Sequence, residues 1–130
     1  MNCLCYSSLL FITNAINAWW YYHYMYSFLF STLTVTSVLH HTMYTPCTKK
    51  IDKISIVSVI LCGASILYSK PVRYVYNVPI WGTFILCWIL YVYGYHTNRF
   101  CYHPDVHMGN SYHCLLHVVS SVGHHLIIFL

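Results

Sequence analysis

Apolar runs long enough to match a bilayer recur along this chain, and almost no charge interrupts them. A hydrocarbon core of about 30 Å needs roughly 20 apolar residues of helix. Segments of that kind cover about 4–20, 24–44, 51–68, 78–95 and 112–130. Only 6% of the 130 residues are charged and 58% are hydrophobic, whereas a soluble domain is about 25% charged. The pattern predicts an all-α, polytopic transmembrane helix bundle of about five spans, forming a single domain over residues 1–130. Pro cannot continue a helical hydrogen-bond ladder, so Thr45-Pro46 is expected to end the second span and Lys70-Pro71 the third. Pro104 and Gly109 mark the longest loop. No Gly or Pro occurs before Pro46, so the first turn is placed by the cluster Trp19, Trp20, Tyr21, Tyr22 and Tyr24, which reads as an interfacial aromatic belt. The first segment lacks a positive n-region and carries Asn14 and Asn17, which argues against a signal peptide.

The formal charge of +4 rests on six basic residues spread over the loops. No basic patch interleaved with aromatics is present, so nucleic-acid binding is not expected. With alternating spans, Lys49, Lys50, Lys53 and Arg99 share the side of the N-terminus, and Lys70 and Arg73 lie opposite. This bias favours a cytoplasmic N-terminus. The seven cysteines form no Cys-x-x-Cys pair, and Cys62 and Cys87 lie in apolar runs where a thiol acts as a small hydrophobe.

Against this background five polar residues stand out. Ser37, His41 and Asp52 read Ser-x3-His-x10-Asp, and His113 and His117 read His-x3-His. An Asp at mid-span costs roughly 2.5–3.5 kcal/mol on insertion scales. The span order puts His41 near the end of the second span, Asp52 at the start of the third, and His113 and His117 in the first turns of the fifth. All then face one side of the membrane at similar depth. Residues i and i+4 share a helix face, so His113 and His117 can hold one ion together and leave a position for His41. Three imidazoles with an open fourth position, beside a carboxylate and a hydroxyl, are the parts of a zinc-dependent hydrolase. Ser120 and His124 continue the same stripe, which is expected to face the bundle interior. Singly, each residue has a plainer reading. A membrane histidine is usually a helix–helix hydrogen bond, Asp52 has Lys49, Lys50 and Lys53 for ion pairs, and Ser37 can bond back to its own helix. Cys101, His103, Asp105 and His107 alternate possible ligands in a loop that reads better as ordinary polar chain. A bis-histidine haem site is a further alternative.

The five residues, with Val-Val-Ser-Ser-Val-Gly at 118–123, resemble the CREST superfamily of membrane hydrolases. That superfamily includes alkaline ceramidases, the PAQR receptors and phospholipases acting on GPI-anchored proteins. The eleven-residue step from His41 to Asp52 is similar to that of the alkaline ceramidases. The resemblance implies that His41, His113 and His117 ligate Zn2+, that Asp52 binds the zinc water and that Ser37 supports the site. It covers the second, third and fifth spans. The family has seven spans and this chain has room for about five, a loss that preserves the sidedness of the last helix. No acid precedes Asp52, so the N-terminal calcium site of alkaline ceramidases has no counterpart. The expected function is hydrolysis of an amide or ester bond in a membrane lipid, possible homo-oligomerisation included. The alternative is a non-catalytic small polytopic membrane protein or a degenerate member of the same group.

Overall fold

The computed structural model describes residues 2–130. Its helices are α1 (Cys3–Ser8), α2 (Leu10–Trp20), α3 (Tyr24–Met43), α4 (Pro46–Ser69), α5 (Tyr74–Trp88), α6 (Gly94–Thr97) and α7 (Val106–Ile128). A π turn, Ile89–Tyr93, joins α5 to α6, and a 3-10 turn, Phe100–Tyr102, leads toward α7. No strand occurs among the described residues. Leu9 keeps right-handed helical angles, so α1 and α2 act as one slightly broken rod. The stretch from α5 through α6 is another, since the residues at its joins are also helical.

Local chemistry explains where the rods stop. The turn between α2 and α3 has no glycine, and Tyr22 adopts a left-handed conformation with φ 64°. Such a residue costs about 1–2 kcal/mol. Trp19 stacks edge-on against Tyr24 with ring centroids 4.8 Å apart, closing the hairpin. Pro46 does not merely end a span. Thr45 and Thr48 form a capping box with Pro46 at the first helical position, where a missing N–H has no cost. Helix α4 therefore begins five residues before the expected 51. Helix α5 begins at Tyr74 rather than 78 and carries Pro79 inside it. Helix α7 begins at Val106 rather than 112, because Asp105 caps it with bonds from the backbone N–H groups of His107 and Met108. The polar residues 107–111 carry no apolar periodicity that would reveal this first turn.

The rods form an arc in the order α4, α3, α1–α2, α7, α5. Helix α4 also touches α7 lightly, but the backbones of α4 and α5 do not approach each other closely. The arc thus has one open seam, between α4 and α5. Two stretches, Pro46–Ser69 and Tyr74–Tyr102, are long and apolar enough to cross a membrane. Helices α3 and α7 are of similar length but carry the serines, threonines and histidines that lower their apolarity.

Polarity runs opposite to that of a water-soluble domain. Phe28, Val35, Ile54, Leu61, Val78 and Val122 point outward, whereas Asn14, Ser27, Ser37, His41, Asp52, His117 and Ser121 are buried. The interior polar groups stitch rods together. The Asn14 side chain donates to the Ser121 carbonyl at 2.9 Å and accepts from the Ser121 hydroxyl at 2.6 Å, tying α2 to α7. Ser27 donates to the Ala15 carbonyl at 2.7 Å, tying α3 to α2. Helices α5 and α7 approach most closely at Gly123, where a Cβ would collide with the Thr83 hydroxyl. Overpacking of this kind costs about 1–3 kcal/mol. Gly123→Ala is expected to lower the thermal midpoint of the protein in detergent, and Thr83→Ala in the same chain to restore part of the loss. An unaffected midpoint in the single variant would show that the two helices part easily.

Candidate metal centre

His41 sits in the last turn of α3, and His113 and His117 lie on one face of α7. Their rings converge. Centroids of His113 and His117 are 4.9 Å apart, those of His41 and His113 5.1 Å, and those of His41 and His117 5.6 Å. One nitrogen from each residue lies within 4.8 Å of the other two. His41 is 3% exposed, and both of its ring nitrogens are buried without a hydrogen-bond partner among the described residues. Buried polar groups are ordinarily satisfied, and the chemistry of three facing imidazoles suits a divalent ion such as zinc.

Helix α1 buttresses this group. The Ser7 hydroxyl donates to the Leu4 carbonyl at 3.1 Å. The same hydroxyl lies 2.7 Å from Nδ1 of His117. A hydroxyl has one proton, so with that proton on Leu4 the ring N–H donates to Ser7, a tautomer that leaves Nε2 as the free nitrogen. Phe11 packs edge-on against the same ring at 5.4 Å. From the other side, the π turn presents Tyr91 to His113, with centroids 6.3 Å apart. π segments within α-helices often accompany functional sites because they re-aim side chains.

Asp52 and Ser37 flank the trio without joining it. Both line a cavity of about 460 Å³ whose wall also includes His113, His117, Ser120 and His124. Asp52 is buried in the second turn of α4, not at the opening of its helix as the sequence reading placed it. Its carboxylate accepts from the Thr36 hydroxyl at 3.4 Å, and it forms no salt bridge among the described residues despite its lysine neighbours. Ser37 is 3.0 Å from the Ser8 hydroxyl, whose own proton goes to the Leu4 carbonyl at 2.7 Å. Ser37 therefore donates its single proton to Ser8.

The remaining histidines are sorted by the fold. His124 lies deeper along α7 in a hydrogen bond with the Tyr26 hydroxyl, apart from the trio. His23 caps α3 at the far end of that helix from His41. In the loop, Nδ1 of His103 accepts the Asp105 N–H at 3.0 Å, and Asp105 is occupied with capping α7. Cys101, His103, Asp105 and His107 assemble no metal-ligand group among the described residues. Three participants escaped the sequence reading. Ser7 carries no local signal, since its partner is 110 residues away. His40 was adjacent to a chosen residue and reaches the cavity. Tyr91 is one of fourteen tyrosines and is singled out only by the π turn.

Fold and site together define an all-helical chain with a buried three-histidine centre beside a carboxylate-lined cavity. Comparison with protein-family models, with curated proteins and with solved structures gives no match.

The helix that carries His113 and His117 starts at the Asp105 cap. Hydrogen bonds from the backbone N–H groups of His107 and Met108 hold the Asp105 carboxyl below its ordinary pKa of 3.8. A depressed pKa means stability that is present above the unfolded value and is lost as pH falls through the folded one. Asp105→Ala is expected to melt at a lower temperature than the native chain at neutral pH. The gap should close in acid, below about pH 3.8. A pH-independent gap in thermal scans would show that the carboxylate charge has no part in it.

Proposed function

We propose that this chain is a membrane protein of the CREST type, five spans of which lie in residues 1–130, that hydrolyses an amide or ester bond of a lipid at a zinc centre. The observation that carries the reading is the convergence of His41, His113 and His117, with both His41 nitrogens buried and unpartnered. The inverted polarity of the bundle and its two long apolar helices support a membrane setting. The seam between α4 and α5 offers a lipid a sideways path into the cavity. Three rings meeting at one point suit a small ion better than a flat haem, which needs two imidazoles facing each other across a plate.

A zinc ion held by three histidines supplies a Lewis acid that polarises a carbonyl and lowers the pKa of a bound water to about 7. The protein's own part is acid–base and positional. Asp52, buried on the cavity wall, accepts the proton of the attacking water and returns it to the leaving group. The Thr36 hydroxyl lies against the Asp52 carboxylate and helps to orient it. Ser7 holds the His117 ring in the tautomer that leaves Nε2 free. Apolar residues of α4 and α5 exclude water around the acyl chain.

Elemental analysis of the protein purified in mild detergent, read beside lipid hydrolysis, tests the scheme. The native chain is expected to hold one zinc per protein, and His113→Ala and His117→Ala to lose both metal and turnover. Asp52→Asn should keep the metal while turnover falls roughly 10²–10⁴-fold, the usual worth of a general base. His23→Ala, at the other end of α3, should change neither. A native protein without stoichiometric metal, or equal losses in all four variants, would remove the basis of the proposal.

The tautomer argument makes a separate prediction. Losing a partner to the second ring nitrogen typically weakens metal affinity about 10–100-fold. Ser7→Ala is expected to do so in a competition titration with a chelator, and Ser7→Thr to preserve affinity. Identical affinity in the native chain and Ser7→Ala would mean that the ring is held by packing alone.

A further inference from the structure

The cavity is not uniform along its length. At one end its wall carries Lys49, Lys53 and His40 beside the histidine centre, and beyond them it becomes apolar through Ile56, Ile60 and Leu67. Lys49, Lys53, Ile56 and Ile60 are spaced at 4, 3 and 4 residues on α4, so one helical face passes from cationic to hydrocarbon. Lys53 and Leu67 are fourteen residues apart, about 21 Å of helix. One leaflet of hydrocarbon is about 15 Å deep, so this wall is long enough for a whole acyl chain.

Two observations indicate that the cationic end awaits a ligand. Nδ1 of His40 is buried without a hydrogen-bond partner among the described residues. The two lysines also lack an anionic partner, because the chain has only two acids. Asp105 is occupied at the cap of α7, and Asp52 forms no salt bridge. Lys49 and Lys53 are themselves exposed, and they stand at the mouth of the cavity whose lining they share with His40.

We infer that the cavity binds a single-chain lipid with an anionic head, phosphate or carboxylate, its head held by Lys49, Lys53 and His40 and its tail laid along the seam between α4 and α5. The inference names a ligand class for the site proposed above. It rests on that reading for turnover alone, since the head-group contacts do not involve the three zinc-site histidines. Charge-assisted hydrogen bonds from two ammonium groups account for the preference over a neutral head, and the apolar wall accounts for the requirement for a chain.

The test is binding to the full-length protein in a non-ionic detergent, followed by quenching of Trp81 and Trp88, which line the cavity, with chain-brominated lipids. The probes are a lysophosphatidate, the monoacylglycerol of the same chain, and inorganic phosphate as competitor. The lysophosphatidate is expected to bind at least tenfold tighter than the neutral lipid. Lys49→Gln with Lys53→Gln should abolish that preference without altering binding of the neutral lipid, and the paired Arg variant should keep it. Inorganic phosphate at millimolar concentration should not displace the lipid. Equal affinity for the two lipids, or an unchanged preference in the Gln variant, overturns the inference. Displacement by inorganic phosphate overturns it in favour of a free-anion site. His113→Ala should retain the head-group preference, so absence of zinc would sink the hydrolase reading and leave this one standing. A native protein loaded with zinc but indifferent to head-group charge would do the reverse.

Discussion

A polar group buried in an apolar bundle must find a partner, and the structure is organised around where partners are found and where they are missing. An unsatisfied buried donor or acceptor costs about 1–3 kcal/mol. Most interior polar groups here avoid that cost by pairing across rods, as Asn14 does with Ser121 and Ser27 with the Ala15 carbonyl. His41 does not: both of its nitrogens are buried without a partner among the described residues. The rings around it belong to His40, His113 and His117, at 5.0, 5.1 and 5.6 Å, and they offer nitrogens and little else. Imidazoles crowded in this way bring no acceptor oxygen and no anion to one another. A small cation could satisfy His41, His113 and His117 together, which is why the same three side chains that look like a packing fault form a candidate ligand set.

Helix α7 is the element on which this arrangement turns. It carries two of the three rings, packs on α1, α2 and α5, and touches α4. Asn14 ties it to α2, Gly123 lets α5 approach, and Ser7 reaches it from α1. These contacts hold α7 from three sides and leave the fourth to the cavity. Helices α4 and α5 both line that cavity without close backbone approach to each other. The π turn continues the rod that forms one wall and puts Tyr91 in the lining.

Much of this was legible in the residues. Helical content, the number of rods and the hairpin at 21–23 follow from run length and aromatic clustering. The pairing of His113 with His117 follows from an i, i+4 spacing that no tertiary contact can undo. Boundaries were less legible wherever a terminus rests on polar chemistry. Pro46 reads as a stop on hydropathy and as a start once the Thr45–Thr48 capping box is seen. Asp105 starts α7 six residues before the apolar run begins, because capping depends on one side-chain oxygen and not on hydrophobic periodicity. The Cys101–His107 loop looked ligand-rich in one dimension, yet His103 and Asp105 are engaged in local turns.

The linear order of residues determined that the chain is helical, that its surface is hydrocarbon, and that two histidines share a face of the last helix. Those properties depend on spacing and composition within single segments, so they survive without knowledge of neighbours. Only the tertiary structure decided that His41 meets that pair, that Ser7 rather than a carboxylate holds His117, and that α4 and α5 stand apart. Each of these brings together groups separated by tens of residues, and such a meeting depends on how the rods pack, a property that no local run of sequence encodes.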